Sequence, residues 1–252
     1  MRIIALANQK GGVGKTTSTI NLGYGLKRLG KSVMLIDLDP QAHLTYSLGI
    51  NPYDLNGTIY DILKGNMQLP DVKQKINGVT IIPSSLDLSG ADMELAAIPG
   101  RERLLEEALK NHIKGYDYIL VDCPPSLGLL TLNCFTMVKE ICVPMQTEFL
   151  ALQGMGKLIE TINVIKKRLN PDLHITSIIG SRYDSRKNLS REVIEKIKEH
   201  FKGKLLYPLI RENVALAEAP SHGKDIFSYK ENSPGAQDYL ALSQSIINQE
   251  NN

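Results

Sequence analysis

The sequence predicts an α/β fold: a single domain over residues 1–252, built on a doubly wound, mostly parallel sheet with helices on both faces. Three observations carry this expectation. Short, near-continuous Val/Ile/Leu runs alternate with helical periodicity, the pattern of strands buried on both faces. No Ser/Gly-rich linker divides the chain. Its 252 residues, 42% apolar and 22% charged, are enough for one core without a disulfide or metal staple.

The elements follow in order. Arg2–Ala7 reads as a buried strand, and a glycine-rich turn leads into a helix from about Lys15 to Leu29, stopped by Gly30. Further strands are expected at Ser32–Asp37, Val79–Pro83, Tyr116–Asp122, Glu140–Pro144 and His174–Ser181. Helices are expected over Arg101–His112, Leu152–Leu169, Arg191–Phe201 and Ala236–Gln249. Asn51–Pro70 and Pro83–Gly100 read as excursions from the sheet. In such a sheet a ligand sits at the carboxyl ends of the strands.

Composition excludes several classes. Cys123, Cys134 and Cys142 make an odd count with no C-x-x-C pair, against a disulfide framework or zinc ribbon. The N-terminus has no signal-peptide pattern. The longest uncharged stretch, Cys123–Val138, contains two prolines and falls short of the roughly 20 residues of a spanning helix. Neither secretion nor membrane spanning is expected, and the cytoplasm is the expected compartment. Residues 1–150 carry 14 basic and 15 acidic residues, and residues 151–230 carry 15 and 9. That basic second half is a candidate polyanion footprint, or a set of solvated helix faces.

The first strand ends in Asn8-Gln9-Lys10-Gly11-Gly12-Val13-Gly14-Lys15-Thr16-Thr17. A standard phosphate loop needs glycine where Gln9 stands, but the remaining logic holds. Backbone N–H groups of Gly11 to Thr17 can cradle phosphate oxygens at a helix N-terminus. Lys15 reaches the terminal phosphates, and the Thr16 hydroxyl is placed to hold Mg²⁺. Two acidic strand ends, Asp37-Leu38-Asp39-Pro40-Gln41 and Asp122-Cys123-Pro124-Pro125, offer carboxylates to the metal or to an attacking water.

With its early lysine, the loop K-G-G-x-G-K-[ST] resembles that of the ParA/Soj partition ATPases, a deviant P-loop class that also includes MinD-like proteins. Similar segments recur along the chain: D-x-D-P-Q at Asp37–Gln41, D-x-P-P at Asp122–Pro125, P-x-Q-x-E-[FY]-x-A-L-[EQ]-G at Pro144–Gly154, and the signatures Glu218–Lys224 and Gly235–Tyr239. The resemblance implies an ATP hydrolase with Mg-ATP as its cofactor. Lys10 would complete the partner subunit's site in an ATP-bound homodimer, and Asp39 would orient water. Thr16, Asp37 and Asp122 would serve the metal. It further implies non-specific double-stranded DNA and a ParB-like protein as partners, a nucleoid location and no membrane. Pro208 and Arg182 are candidate neighbours of the base.

One segment departs from the pattern. Many Soj-like members read I-P-R-N-[IV]-R before Leu216, whereas this chain reads Ile210-Arg211-Glu212-Asn213-Val214-Ala215. DNA contacts credited to those arginines do not transfer, so binding would rest on other cations such as Lys166, Lys167, Arg168 and Arg191. Alternatives are a MinD-like membrane-surface ATPase, disfavoured because the segment Leu240–Asn252 has no basic residue, a cluster-bearing redox protein, and ParA-like positioning of a cargo other than DNA.

Overall fold

The computed structural model describes residues 1–148 and 154–251. Seven strands, β1 (Arg2–Leu6), β2 (Val33–Asp37), β3 (Gln74–Ile76), β4 (Val79–Ile82), β5 (Tyr118–Asp122), β6 (Glu140–Gln146) and β7 (His174–Ser181), form one sheet in the order β3-β4-β2-β5-β1-β6-β7. All neighbours are parallel except β3, which pairs antiparallel with β4. The chain leaves β1 through helix α1 (Lys15–Arg28) to reach β2 on one side, and later crosses from β5 to β6 on the other. Winding therefore reverses beside β1, and the crevice opens there at the carboxyl ends.

Alternating side chains feed two cores. Ile4, Leu6, Val33 and Leu35 pack with α1 and the C-terminal helix Pro234–Asn248, which buries Tyr239, Leu242 and Ile246. Ala5, Met34, Ile36, Ile119 and Val121 pack on the other face beneath helices Leu129–Met137, Met155–Arg168 and Asn188–His200. The expected doubly wound sheet is what the chain forms, with the six expected strands in place to within about two residues.

The sequence reading names neither β3 nor several helices, Leu129–Met137 among them. β3 is a half-exposed edge strand joined to β4 through Asn77 (φ 45°) and Gly78 (φ 84°). Asn-Gly with positive φ at both positions is a strong hairpin signal, and it was there to be read. The helix Leu129–Met137 lies within the uncharged run and is buried on most sides, so no amphipathic stripe announces it. Arg101–His112 resolves into a 3₁₀ turn, Arg101–Arg103, and a helix, Leu104–Leu109. The expected start of the next helix at Leu152, and the motif positions Phe149 to Gln153, lie outside the described residues. Cys123, Cys134 and Cys142 are free and buried. Among the described residues no helix is long and apolar enough to cross a membrane.

Candidate functional site

The loop between β1 and α1 has its shape because glycines permit it. Gly12 (φ 72°) and Gly14 (φ 90°) take left-handed conformations that turn the chain onto the N-terminus of α1, where Gly14 is the cap. Remote side chains brace it. The Gln146 amide donates to the Gly12 carbonyl at 2.6 Å, and the Ser181 hydroxyl to the Val13 carbonyl at 2.9 Å. Asn8 accepts from the Lys10 backbone N–H at 3.0 Å and donates to the Pro144 carbonyl at 2.8 Å.

Two cavities meet at this loop. One, about 400 Å³, is lined by Gly11, Gly12, Gly14, Lys15, Thr16, Thr17, Asp39, Gln41, His43, Ser47 and Pro125. The other, about 440 Å³, is lined by Gly12, Val13, Gly14, Thr17, Ser181, Arg182, Ile210 to Leu216 except Ala215, Ala217 and Tyr239. Each falls within the roughly 300–1,000 Å³ of ordinary small-molecule sites. Gly12, Gly14 and Thr17 belong to both, so one elongated ligand could occupy the pair with its junction on the loop.

The polar groups beneath the first cavity are few and linked. Thr16 Oγ1 donates to Asp122 Oδ2 at 2.6 Å, and Thr19 Oγ1 lies 3.3 Å from Asp122 Oδ1. Asp37 neighbours Asp122 across the β2–β5 register. Burial pushes the Asp37 carboxyl up to about 7, and burial together with Asp37 pushes Asp122 up to about 8. Burial lowers Lys15, opposed by Asp122 and Asp39. Lys15 thus lies near the Asp122 and Asp39 carboxylates, and a hydroxyl beside a carboxylate is a hard-oxygen donor set. Such a set fits a Mg²⁺ ion that keeps waters and phosphate oxygens as its other ligands.

Gly11 to Thr17 lie together on the loop, with Lys15 at its base. Asp39 reaches the first cavity, held by the Gln41 N–H on Oδ1 at 3.0 Å. Asp37 is engaged elsewhere: its oxygens accept from Asp39 N–H at 3.2 Å, Thr45 N–H at 2.9 Å and Thr45 Oγ1 at 2.7 Å, which anchors helix α2 (His43–Ser47). Lys10 lies outside the lining of its own cavity. Its ammonium is 3.5 Å from Glu148 Oε2, and its carbonyl accepts from Lys15 Nζ at 3.5 Å. Arg182 lines the second cavity but Pro208 does not. The segment Leu205–Arg211 runs parallel beside β7, so Ile210 to Asn213 reach the carboxyl edge and Pro208 stops short of it. Sequence reasoning missed Gln41, His43, Ser181 and Tyr239. Of these, Gln41 and Tyr239 sat inside quoted signatures.

A family model described as an AAA domain matches residues 1–175. The chain is 43% identical over 247 residues to the sporulation initiation inhibitor protein Soj of Bacillus subtilis, covering 97% of this chain and 98% of that protein. It is 42% identical over 254 residues to the chromosome partitioning protein ParA of Caulobacter vibrioides, covering 99% and 95%. The chain belongs to the Soj/ParA family of chromosome-partitioning ATPases. Among solved structures it is similar to one described as cobyrinic acid a,c-diamide synthase from Mycobacterium smegmatis, at 34% identity and a TM-score of 0.88 over 100% of this chain and 96% of that one. That protein was crystallised with ADP and magnesium and with an ATP analogue and magnesium. The family resemblance expected from the loop, the two acidic strand ends and the C-terminal signatures is thereby established for this Soj/ParA-family chain.

Proposed function

We propose that Mg-ATP joins two copies of this chain face to face, that the dimer binds duplex DNA without sequence preference, and that hydrolysis stimulated by a ParB-like partner releases it. One observation carries this reading: Lys10 lies outside the cavity that Lys15 lines. Among the described residues its ammonium has a half-exposed ion pair, with Glu148. Pairs of that kind contribute about 0–1 kcal/mol, so little opposes Lys10 extending to a second subunit's phosphates.

In this reading the triphosphate occupies the first cavity and the nucleoside the second. Lys15 and the inward-turned N–H groups of Gly11 to Thr17 hold the phosphates at the positive end of α1. Thr16 and Asp122 hold Mg²⁺, with Asp37 positioning α2 and the Asp39 segment beside it. When bound, the ion neutralises charge on the phosphate oxygens. Asp39 orients the attacking water, and Lys10 of the opposite subunit adds positive charge where it develops. Glu212 takes the place of a family arginine and pairs with Arg182 at 3.5 Å and Lys187 at 3.4 Å, so those cations are partly neutralised. DNA contact therefore falls to exposed residues such as Lys166, Lys167, Arg168 and Arg191. The location that follows is the nucleoid.

The test is fluorescence anisotropy of a labelled duplex at about 0.1 M salt with ATP, ADP or no nucleotide. Binding is expected only with ATP, weakening steeply as salt rises, and lost in Lys10→Ala. Binding that ignores the nucleotide, or wild type that hydrolyses ATP yet leaves DNA free, contradicts the DNA reading. The second result directs attention to liposomes or a protein cargo.

A further inference from the structure

We propose that Arg211 is a positioning residue for the nucleotide, held by Asp238, and that this pair sets how much of the binding affinity comes from the nucleoside rather than the phosphates. The inference rests on the reading of the second cavity as the nucleoside end of the site.

Asp238 is on the C-terminal helix, and its side chain is only 6% exposed, while that of Arg211 is 50% exposed. Asp238 turns both oxygens to this one partner. Arg211 donates from its backbone N–H to Oδ2 at 3.0 Å, from Nε to Oδ1 at 3.1 Å and Oδ2 at 3.0 Å, and from Nη2 to Oδ1 at 2.7 Å. Nη2 also reaches the Pro234 carbonyl at 3.3 Å. A buried carboxylate that takes both backbone and guanidinium donors from a single residue fixes that residue in position and orientation.

What it fixes is a cavity wall. Ile210 N–H donates to the Gly180 carbonyl at 2.8 Å, and Glu212 N–H to the Tyr183 carbonyl at 3.2 Å, so Arg211 sits between two ladder bonds to the end of β7. Two residues on, Asn213 caps the short helix Val214–Glu218 by accepting from Ala215 N–H at 3.0 Å. The same cavity is also lined by Tyr239, next to Asp238 on the helix, whose hydroxyl is 3.0 Å from Ser18 Oγ on α1. The Arg211–Asp238 pair therefore ties this wall to the C-terminal helix, and Tyr239 ties that helix to α1, which begins at the phosphate loop.

The arrangement depends on which residue stands at position 211. Where Soj-like chains carry proline at this position, the backbone has a fixed φ and no N–H to give. Here a charged residue supplies the N–H and the guanidinium, and Asp238 accepts both.

The test compares Mg-ATP with Mg-tripolyphosphate, which lacks the nucleoside, by calorimetry on wild type, Arg211→Ala, Asp238→Asn and Arg211→Lys. Arg211→Ala and Asp238→Asn are expected to weaken ATP by about tenfold, equivalent to about 1.4 kcal/mol, and tripolyphosphate by less than about twofold. Arg211→Lys keeps the backbone donor and the charge but not the guanidinium fork on Asp238, guards against a variant that fails to fold, and should lose about threefold or more in ATP binding with tripolyphosphate little changed. Unchanged ATP affinity in the first two variants overturns the proposal. So do equal losses for both ligands in the well-folded Arg211→Lys protein. If wild type itself binds tripolyphosphate as tightly as ATP, the nucleoside reading fails and the proposal fails with it.

Discussion

Asp37 and Asp122 lie side by side and buried at the carboxyl edge of β2 and β5, and both hold protons more tightly when the chain is folded. The sign of the consequence follows from linkage. Between the unfolded carboxyl range near pH 4 and the folded values of about 7 and about 8, the native state binds more protons than the unfolded state. Their contribution to stability is therefore greatest at low pH and falls as pH rises through that window. Nucleotide-free protein should melt at a higher temperature near pH 6 than near pH 8.5, read by calorimetry, and Mg-ATP should narrow the gap because a bound cation favours the ionised carboxylates. A melting temperature that rises with pH contradicts this account. At this scale the sequence disclosed the residues that share a short segment. Thr16 and Lys15 were readable because loop chemistry fixes their spacing. Asp37 was readable as a carboxylate at a strand end, whereas its engagement by Thr45 depends on how α2 folds back. Ser181 braces the loop from a distant segment through a single hydrogen bond that leaves no local pattern, and Gln146, although inside the Pro144–Gly154 signature, shows its bond to the loop only in the fold.

Helix α1 packs against the C-terminal helix through Gly25. A Cβ built on Gly25 would stand 2.2 Å from Ser243 Oγ and 3.3 Å from the Tyr239 carbonyl, so the two backbones approach closely only because no side chain intervenes. A Cβ built on Gly156, in helix Met155–Arg168, would meet nothing within 4 Å among the described residues. The same substitution should therefore act oppositely in the two helices. Alanine gains up to about 1 kcal/mol of helix propensity over glycine, but overpacking costs about 1–3 kcal/mol. Gly25→Ala is expected to lower the melting temperature by several degrees and Gly156→Ala to hold or raise it; a stabilised Gly25→Ala would show that the interface is looser than described. Element by element, the strands were read well because a parallel sheet buried on both faces imposes uninterrupted apolar runs. The helix Leu129–Met137 was hidden for the opposite reason. Burial on most sides removes the polar stripe that marks a surface helix, and Asn133 is polar only because it bridges the Leu105 N–H and the Arg101 carbonyl.

Over the whole molecule, the charge count and the fold point to different surfaces. The excess of cations lies in residues 151–230, yet close to the site much of it is internally paired: Arg186 with Asp184, Lys187 and Arg182 with Glu212, and Arg211 with Asp238. The cations left exposed on helices Met155–Arg168 and Asn188–His200 lie on the face of the sheet opposite α1. Two copies meeting at their nucleotide crevices would bring two such surfaces into one particle, and phosphate contacts from both would add in the steep salt dependence of a polyanion complex. The proposed cycle of DNA binding and release turns on that meeting. Sedimentation velocity on wild type, Lys10→Ala and Asp39→Ala, each with Mg-ATP, Mg-ADP or no nucleotide, tests it most directly. The account predicts monomers without nucleotide and with ADP. It predicts a dimer with ATP that persists in Asp39→Ala, where hydrolysis is blocked, and is lost in Lys10→Ala. Monomers under every condition, or a dimer that forms equally in Lys10→Ala, would contradict a sandwich completed by that lysine.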